Sequence, residues 1–347
     1  MKTRGLVMPG PRVLQWRDYD VQSTLAEYVE IAISACGICT WEQRVFRGAK
    51  QTYPFWGGHE VCGYVNEIVE CALPEIKKGD RVALALMSRC GECRFCRMGL
   101  DNHCAYVRKA VDDGMPQGPR GFSTLMRVPA YQVFRLPSRL PPSLGTLAEP
   151  IACSLRSIEK ANLERGSTAV VLGAGAMGLI HIGLLKIRGH RVIACDDDVF
   201  RREAAIEWGA ELTLPLTEVG AEKDVLHITE GLGADSAFCI RGGSLAVEKA
   251  VRLVRRGGTV VLFQSILKPD DPSAHLPKIS ANDIHYREIA LVGSVGQTLK
   301  NFKDAVEILS DNSETFGPLV SSVSNDPMEA FASALDPACN RAVLMLN

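Results

Sequence analysis

The chain of 347 residues is 46% hydrophobic and 23% charged, a balance typical of a globular protein long enough for two domains. Its formal net charge of −1 gives no general attraction to nucleic acid or to an anionic membrane surface, so we expect neither as a partner. No apolar run approaches membrane-spanning length and the N-terminus has no apolar signal core, so we expect a cytoplasmic protein.

Residues 1–150 predict a small β-rich domain. They lack long helical periodicity and contain short apolar or alternating runs separated by Gly and Pro turns. Residues 28–33 alternate as a half-buried strand does, and residues 60–69 and 81–86 are further strand candidates with a turn at 78–80 between them. A β-barrel-like arrangement is the natural interpretation.

Four closely spaced cysteines in this part predict a structural zinc site. Four thiolates this close can surround one tetrahedral zinc ion and leave no open position for a substrate. The chain has 12 cysteines and most of the others are scattered, which favours metal ligation in a reducing compartment over a disulfide framework. Free or disulfide-bonded cysteines in a loop are the alternative. The predicted ligands are Cys90, Cys93, Cys96 and Cys104.

A second group of potential metal ligands is dispersed along the same part of the chain. Cys39 follows Cys36-Gly-Ile, His59 and Glu60 follow two glycines, and Glu149 precedes a proline. Each residue taken alone also has an ordinary structural role, as a small core thiol, a turn histidine or a helix cap. Local spacing therefore leaves a catalytic metal site open at this point.

After about residue 150 the pattern changes to alternating helices and strands. The alternation over 167–295 predicts a doubly wound parallel sheet. The last fifty or so residues are mixed, and we expect them to fold back onto the first domain. The expected helices are 151–163, 179–188, 200–208, 245–254 and 301–309, and the expected strands are 167–172, 190–195, 234–240, 259–263 and 289–295.

The stretch 167–198 has the order of a dinucleotide-binding unit, namely strand, glycine turn, helix, strand and acid. Gly173 would permit the tight turn, Gly175 would let the backbone approach a pyrophosphate, and Gly178 would let helix and strand pack closely. Free N–H groups at the start of the helix would face the phosphates. The expected cofactor contacts in this turn are Gly173, Gly175, Ala176, Met177 and Gly178.

The acid of this unit is Asp196, 18 residues after Gly178 at the end of the second strand. Its carboxylate is placed to accept hydrogen bonds from the adenosine ribose. Asp197 and Asp198 beside it would repel a ribose 2′-phosphate, which favours NAD over NADP as the cofactor. Arg201 is a further candidate for cofactor binding.

In order and spacing, these motifs resemble those of the zinc-dependent medium-chain alcohol dehydrogenases, most closely the branch of sorbitol, polyol and threonine dehydrogenases. The resemblance covers essentially the whole chain. It implies a GroES-like β-rich catalytic domain, residues 1–153 completed by 296–347, and a Rossmann NAD-binding domain over 154–295. It also implies a homodimer or homotetramer that holds two zinc ions per chain, one catalytic and one structural.

The resemblance also implies a site and an activity. Glu149 would be the fourth ligand of the catalytic zinc or a close neighbour of it, with Cys153 a minor alternative and Cys36 a buried structural thiol. The implied reaction transfers a hydride between NAD and a small secondary alcohol, which could be a polyol, sugar, cyclitol or amino alcohol. The other three ligands carried over are Cys39, His59 and Glu60.

The proton relay of those dehydrogenases is altered in this chain. The relatives commonly carry Ser or Thr two residues after the ligand cysteine, then Asp, with His two residues further on. Here Trp41, Glu42 and Arg44 occupy those positions. Trp41 has no hydroxyl to pass a proton, and it would be either a pocket wall or a platform for the apolar face of a sugar ring. Arg44 could meet an anionic substrate group or the cofactor pyrophosphate.

The proton therefore needs another acceptor. We hypothesise that Glu60, Glu149 or a water molecule at the zinc takes it, with Thr40 as a less favoured substitute. Release through water alone is the equally acceptable alternative.

The sequence alone does not exclude two other functions. One is a non-catalytic or redox-sensing protein that binds zinc and a nucleotide, which the altered relay would suit. The other is a relative of the zinc-free quinone and enoyl reductases, although those lack the metal ligands named above.

Overall fold

A computed structural model describes residues 2–20, 27–69, 75–106, 115–217, 220–266 and 276–346 of the chain. The chain divides into two compact units. Unit 1 comprises Met1–Ala152 and Gln297–Asn347, and unit 2 comprises Cys153–Gly296.

Strands and helices are numbered here in chain order. The strands are β1 Lys2–Gly10, β2 Val13–Asp20, β3 Tyr28–Gly37, β4 Glu60–Val69, β5 Arg81–Leu84, β6 Leu125–Val128, β7 Val133–Arg135, β8 Thr168–Leu172, β9 Arg191–Cys195, β10 Leu212–Leu214, β11 Ala234–Cys239, β12 Val254–Leu262, β13 Ala290–Gly293, β14 Val320–Ser324 and β15 Arg341–Met345. The α-helices are α1 Thr40–Phe46, α2 Arg94–Arg97, α3 Pro142–Gly145, α4 Ala148–Lys160, α5 Ala176–Ile187, α6 Val199–Glu207, α7 Ala221–Ile228, α8 Gly243–Leu253, α9 Ala281–Arg287, α10 Leu299–Asp311, α11 Ser313–Phe316 and α12 Pro327–Leu335. Within the described residues, no helix combines the length and the apolar character that crossing a membrane requires.

The main sheet of unit 1 has the strand order β14-β15-β3-β4-β5-β7, with β6 added on β3. The strand pairs are antiparallel except β14 with β15, which run parallel. Because β15 pairs with β3, Leu344 lies opposite Cys36, and a late strand of the chain completes the sheet that the first 150 residues begin. This pairing brings residues that are distant in sequence to one end of β4.

The core of unit 1 consists of large apolar side chains that fix α1 against the rest of the unit. Trp56, Phe122 and Phe331 are fully or almost fully buried. The indole N–H of Trp56 donates to the carbonyl oxygen of Phe122 at 2.9 Å, so its polar atom is satisfied inside the core. Phe46 of α1 packs against Phe331 of α12 with ring centroids 4.8 Å apart. This contact holds the helix that carries the first candidate site residues.

Unit 2 is the doubly wound parallel sheet that the sequence predicts. Its strands have the order β10-β9-β8-β11-β12-β13 and all pair in parallel. All five residues of β8 are buried, as expected of an apolar strand covered on both faces. The strand order reverses beside β8, so the turn that follows β8 lies at the position where such sheets bind ligands.

The structure differs from the predicted elements in unit 2 mainly at their ends. Helix α5 begins at Ala176 instead of residue 179, because Gly175 is its N-cap and the rest of the glycine turn forms the first helical turn. The strand β10 and the helices α7 and α9 were not predicted. β10 has only three residues, too few to produce a periodic pattern.

Helix α5 carries a buried histidine whose pKa bears on stability. His181 is fully buried, its Nδ1 lies 2.7 Å from the carbonyl oxygen of Met177, and its ring packs against Phe238 and Phe263. Its Nε2 atom has no hydrogen-bond partner within the described residues. Burial lowers the pKa of His181 from 6.5 to about 4, so the imidazole is neutral in the native state at neutral pH.

We expect this histidine to make unit 2 less stable in acid. The pKa is lower in the folded chain than in the unfolded chain, so the stabilisation is complete above pH 6.5 and is lost as the pH falls towards 4. A pKa difference of this size corresponds to about 3 kcal/mol. The test compares the unfolding free energy of the wild type and His181→Phe between pH 7.5 and 4.5. Both proteins keep the same potential metal ligands, so any loss of metal in acid affects them alike. An equal acid dependence of the two unfolding free energies would show that His181 does not cause it.

Candidate functional site

The first candidate site begins at the N-terminus of α1. Cys39 is the N-cap residue of this helix, with extended backbone dihedrals, and it is half-buried. Val45 and Phe46 of this helix are buried in the core of unit 1. Glu42 is buried as well. Cys39 and Glu42 are three residues apart, which places both side chains on one face of the helix.

His59 is positioned by a glycine turn and by Glu42. Gly58 has φ +94°, and a Cβ atom there would lie 2.5 Å from the backbone nitrogen of Phe122, so the turn requires glycine. The His59 Nδ1 atom lies 2.9 Å from Oε1 of Glu42, which also accepts the backbone N–H of Gly58 at 3.1 Å. Glu42 thus fixes the tautomer of the ring and leaves Nε2 as the atom that can bind a metal.

The charges of this group favour a cation. Burial alone would lower the pKa of His59, but the negative charges of Glu42 and Cys39 outweigh it and raise the pKa well above its usual value. Burial would raise the pKa of Glu42, yet the imidazole charge and hydrogen bond hold that pKa below its usual value. The imidazole is therefore a proton-binding site in the metal-free chain, and a metal ion would displace that proton.

Glu60 lies beside His59 and forms a buried ion pair. It is the first residue of β4, and its Oε1 lies 3.1 Å from Nη1 of Arg341, the first residue of β15. Both side chains are buried. Gly37 on β3 lies opposite Glu60, and a Cβ atom at Gly37 would come within 2.2 Å of Oε2, so this glycine makes the room for the carboxylate.

The Glu60 carboxyl titrates near neutrality despite this partner. Burial raises its pKa to about 7, although the charge of Arg341 acts in the opposite direction. No local sequence pattern points to Arg341, because only the pairing of β15 with β3 brings it to this end of the sheet. The sequence identifies Glu42 only as a substitution in the proton relay, whereas the structure shows its carboxylate hydrogen-bonded to His59.

The candidate ligands form two overlapping groups that share His59. Donor atoms of Cys39, Glu42 and His59 lie within 4.8 Å of one another, and so do those of His59, Glu60 and Glu149. Glu149 lies in the first turn of α4 and is half-buried. A thiol, an imidazole and carboxylates are donors that zinc accepts, so the residues fit a zinc ion.

Thr40 and Trp41 lie at the outer edge of this group. Thr40 is exposed and begins α1, while the Trp41 side chain is 40% exposed. The Trp41 ring lies 6.0 Å from the ring of His59 and 5.8 Å from that of Phe55, measured between centroids. Trp41 therefore forms a wall beside the imidazole.

Removing the charge of Glu42 should weaken metal binding. Glu42→Gln keeps the shape of the side chain but loses the charge that orients and polarises His59, so we expect zinc affinity at this site to fall about 10- to 100-fold. Chelator competition on purified protein measures this change. Glu30→Gln is the matched control, because Glu30 is equally buried in β3 but bonds Arg127 and Asn66. Equal affinities for wild type and Glu42→Gln would contradict the role of Glu42.

The four predicted cysteines form a second, compact donor group. Their Sγ atoms all lie within 4.8 Å of one another, and the Sγ atoms of Cys90 and Cys96 are 3.9 Å apart. Bonds of about 2.3 Å to a tetrahedral zinc would place two sulfurs about 3.8 Å apart, so the group fits zinc. Backbone N–H groups of Cys96 and Ala105 help lower the pKa of Cys93 to about 6, which favours the thiolate.

An arginine and an aspartate anchor this cysteine loop within unit 1. Arg89 pairs with Asp101 at 2.5 Å and donates to the backbone and side-chain oxygens of Gln297. Asp101 also accepts the backbone N–H of Leu299 at the start of α10. The loop is thus tied to the point where the chain returns to unit 1.

In unit 2, the glycine turn has the geometry of a phosphate-binding turn. Gly173 has φ +104°, and a Cβ atom at Gly178 would lie 1.9 Å from the carbonyl oxygen of Gly173. A Cβ atom at Gly175 would meet only Nη1 of Arg201, at 3.8 Å. Gly173 and Gly178 are therefore needed by the fold, whereas the space at Gly175 is open.

The three aspartates after β9 have separate partners. Asp196 accepts the backbone N–H of Ala174 at 2.8 Å and lies 4.0 Å from Nη1 of Arg201, so it adjoins the glycine turn. Asp197 accepts both the backbone N–H and the hydroxyl of Thr217, and Asp198 caps α6. Of the three, Asp196 is the one bonded to the turn itself.

The open space at Gly175 and the tight contact at Gly178 give a matched pair of variants. Gly175→Ala should weaken NAD binding about tenfold or more, because the added methyl group occupies space near a bound pyrophosphate, and should leave stability unchanged. Gly178→Ala should lower the unfolding temperature, because its Cβ would collide with the backbone of Gly173. Calorimetric titration with NAD and thermal unfolding measure the two effects. An unchanged NAD affinity in Gly175→Ala would contradict the assignment of the turn.

Comparisons with known proteins agree on one family. Residues 26–138 match the family described as the alcohol dehydrogenase GroES-like domain, and residues 176–311 match the family described as zinc-binding dehydrogenase. L-galactonate-5-dehydrogenase of Escherichia coli K12 is 28% identical over 321 residues, which are 89% of this chain and 88% of that protein. Erythritol/L-threitol dehydrogenase of Mycolicibacterium smegmatis is 30% identical over 286 residues, 76% of each chain.

A solved structure has the same fold. A protein of Sinorhizobium meliloti 1021 described as a zinc-binding dehydrogenase, with its structure solved with NADP, superimposes with a TM-score of 0.84 over 99% of both chains. Its sequence is 23% identical, so this likeness concerns the fold alone.

Proposed function

The chain belongs to the zinc-dependent medium-chain dehydrogenases, and we propose that it oxidises a secondary alcohol of the polyol or sugar class with NAD as the hydride acceptor. The observation that carries this proposal is that His59 belongs to two donor groups, one with Cys39 and Glu42 and one with Glu60 and Glu149. The names of the relatives support it, since they include dehydrogenases of sugar acids and of small polyols.

We assign Cys39, His59 and Glu60 as ligands of a catalytic zinc, with Glu149 as a fourth ligand or close neighbour. A zinc ion there would supply Lewis acidity that lowers the pKa of an alcohol hydroxyl. The protein's own contribution is orientation and charge balance. Glu42 holds the imidazole by its Nδ1 atom, and the guanidinium of Arg341 compensates the buried Glu60 carboxylate.

The proton released by the alcohol needs a route to solvent, and we propose Glu149 as its first acceptor. Glu60 is buried and paired with Arg341, whereas Glu149 is half-buried and its carboxylate lies within 4.8 Å of donor atoms of His59 and Glu60. A carboxylate that reaches both the site and solvent can take up a proton and pass it to water. Trp41 and Thr40 have no part in this route, and Trp41 acts as a wall that limits water access.

We further propose a structural zinc and a separate cofactor domain. The structural zinc would be held by Cys90, Cys93, Cys96 and Cys104, so each chain would bind two zinc ions. Residues 154–295 would bind NAD, while 1–153 with 296–347 would form the catalytic domain. The carboxylate of Asp196 at the glycine turn supports NAD, because a ribose 2′-phosphate would lie against its negative charge.

We also propose that the enzyme is a cytoplasmic homodimer or homotetramer. The family resemblance supports the oligomer. The clustered cysteines support a reducing compartment, where zinc binding by thiolates is favoured over disulfide formation.

The proposal is tested by activity and metal content measured on the same preparation. Purified zinc-loaded protein is assayed for reduction of NAD and NADP with polyols, cyclitols, sugars, aldonates, polyol phosphates and β-hydroxy amino acids. We expect about two zinc ions per chain and a clear preference for NAD with at least one of these alcohols. Protein with one zinc ion per chain and no turnover of any alcohol would favour a non-catalytic protein instead.

A further inference from the structure

A lysine and a tryptophan form an aromatic and cationic rim beside His59. The Lys50 ammonium lies over the face of the Trp41 ring, 4.5 Å from its centroid. The Trp41 centroid is 6.0 Å from that of His59, so the ammonium is within about 11 Å of the imidazole. Lys50 is exposed, and among the residues the structure describes it has no carboxylate partner.

The segment that carries this rim is positively charged. Residues 43–59 include Arg44, Arg47 and Lys50 but no aspartate or glutamate. The nearest acids in the sequence are Glu42 and Glu60, which are buried and bonded to His59 and Arg341 respectively. The inner donor group is therefore acidic while the rim segment is basic, and a negative charge on a ligand is attracted to the rim.

We propose that Lys50 and Trp41 form the subsite for an anionic end of the substrate, so that the preferred alcohol is a polyol bearing a carboxylate or a phosphate. This inference rests on the proposed function and specifies its substrate class. The indole would cover the apolar face of the carbon chain, and the ammonium would pair with the anion. The cation–π contact holds Lys50 over the ring before substrate binds, which limits the side-chain entropy lost on binding.

The ammonium and the imidazole are at most about 11 Å apart, which leaves room between them for a short sugar acid. Four carbon–carbon bonds of about 1.5 Å separate the fifth carbon of an aldonate from its carboxyl carbon, so the two lie about 5 Å apart. Such a molecule can place a carbinol carbon at the donor group around His59 and its carboxylate at Lys50. A neutral polyol of the same length leaves the ammonium solvated and gains nothing from it.

The test uses pairs of substrates that differ only in their anionic end. An aldonate, the corresponding alditol and the alditol phosphate are assayed with zinc-loaded wild type, Lys50→Met, Lys50→Arg and Lys78→Met. Lys78→Met is the matched control for loss of one exposed positive charge. Its neighbour Gly79 bonds the carbonyl of Val65, five residues along β4 from Glu60 and so about 16 Å away. Calorimetric titration of the aldonate without NAD gives a second readout.

We expect the wild type to favour an anionic member of the series, with the aldonate and phosphate arms showing which anion fits. Lys50→Met should lower the preference for the anionic substrate, expressed as its kcat/KM divided by that of the alditol, about tenfold, mainly by raising the KM of the anionic substrate. The same variant should bind the aldonate about tenfold more weakly in the calorimetric titration. Lys50→Arg should restore the preference and Lys78→Met should match the wild type. A wild type that prefers the neutral alditol, or an equal loss for both substrates in Lys50→Met, would overturn the inference. If no alcohol is oxidised, the proposed function fails, and the calorimetric comparison alone then decides the role of Lys50.

Discussion

Replacing Cys39 by alanine should remove one of two zinc ions per chain and lower kcat about a thousandfold or more. The thiol is one donor of the group around His59, and among the described residues it is the sulfur atom of that group, so its loss would leave the proposed site with nitrogen and oxygen donors. Metal activation of a hydroxyl is worth several kcal/mol, and each 1.36 kcal/mol changes a rate tenfold. Zinc content by mass spectrometry and turnover of the best alcohol measure the two effects together.

A nearby thiol provides the control for this variant. Cys62 lies in β4, two residues after Glu60, and burial raises its pKa to about 12, so it is unreactive. Cys62→Ala should therefore keep both zinc ions. Our assignment would be wrong if Cys39→Ala kept both zinc ions and a turnover within tenfold of the wild type.

The second large effect concerns stability. Cys104→Ala should remove the other zinc ion and lower the unfolding temperature by about 10 to 20 °C. The zinc ion would hold together a loop whose neighbours Arg89 and Asp101 contact Gln297 and Leu299. Losing the metal thus frees the loop and weakens the start of α10. Metal content, thermal unfolding and limited proteolysis of the loop are the measurements.

Cys339→Ala serves as the control, because this half-buried thiol lies outside both donor groups of the described residues. It should retain two zinc ions and unfold at nearly the wild-type temperature. A Cys104→Ala protein that unfolded at the same temperature as this control would show that the cysteine cluster does not stabilise unit 1.

The sequence predicts well those features that depend on residues close together in the chain. The glycine turn and the four cysteines are local motifs, and the structure gives the turn a left-handed Gly173 and brings the four thiols within 4.8 Å of one another. The alternation of strands and helices gives the parallel sheet of unit 2 correctly, because each buried strand is an uninterrupted apolar run.

Contacts between residues that are far apart in the sequence cannot be predicted from such local patterns. The ion pair of Glu60 with Arg341 exists because β15 pairs with β3, and the spacing of hydrophobic residues does not specify that partner. The bond between Glu42 and His59 depends on how α1 packs, which Phe331 of α12 helps to fix. The partners of the next two aspartates likewise depend on packing, since Asp197 bonds Thr217 and Asp198 caps α6.

Anomalous diffraction at the zinc absorption edge, from crystals of the protein purified without added metal, tests the central claim most directly. We predict two peaks per chain, one among Cys90, Cys93, Cys96 and Cys104 and one within bonding distance of Cys39 Sγ, His59 Nε2 and a carboxylate of Glu60 or Glu149. A peak at the four cysteines with none beside His59, in protein that nevertheless oxidises alcohols, would contradict the proposed catalytic zinc site.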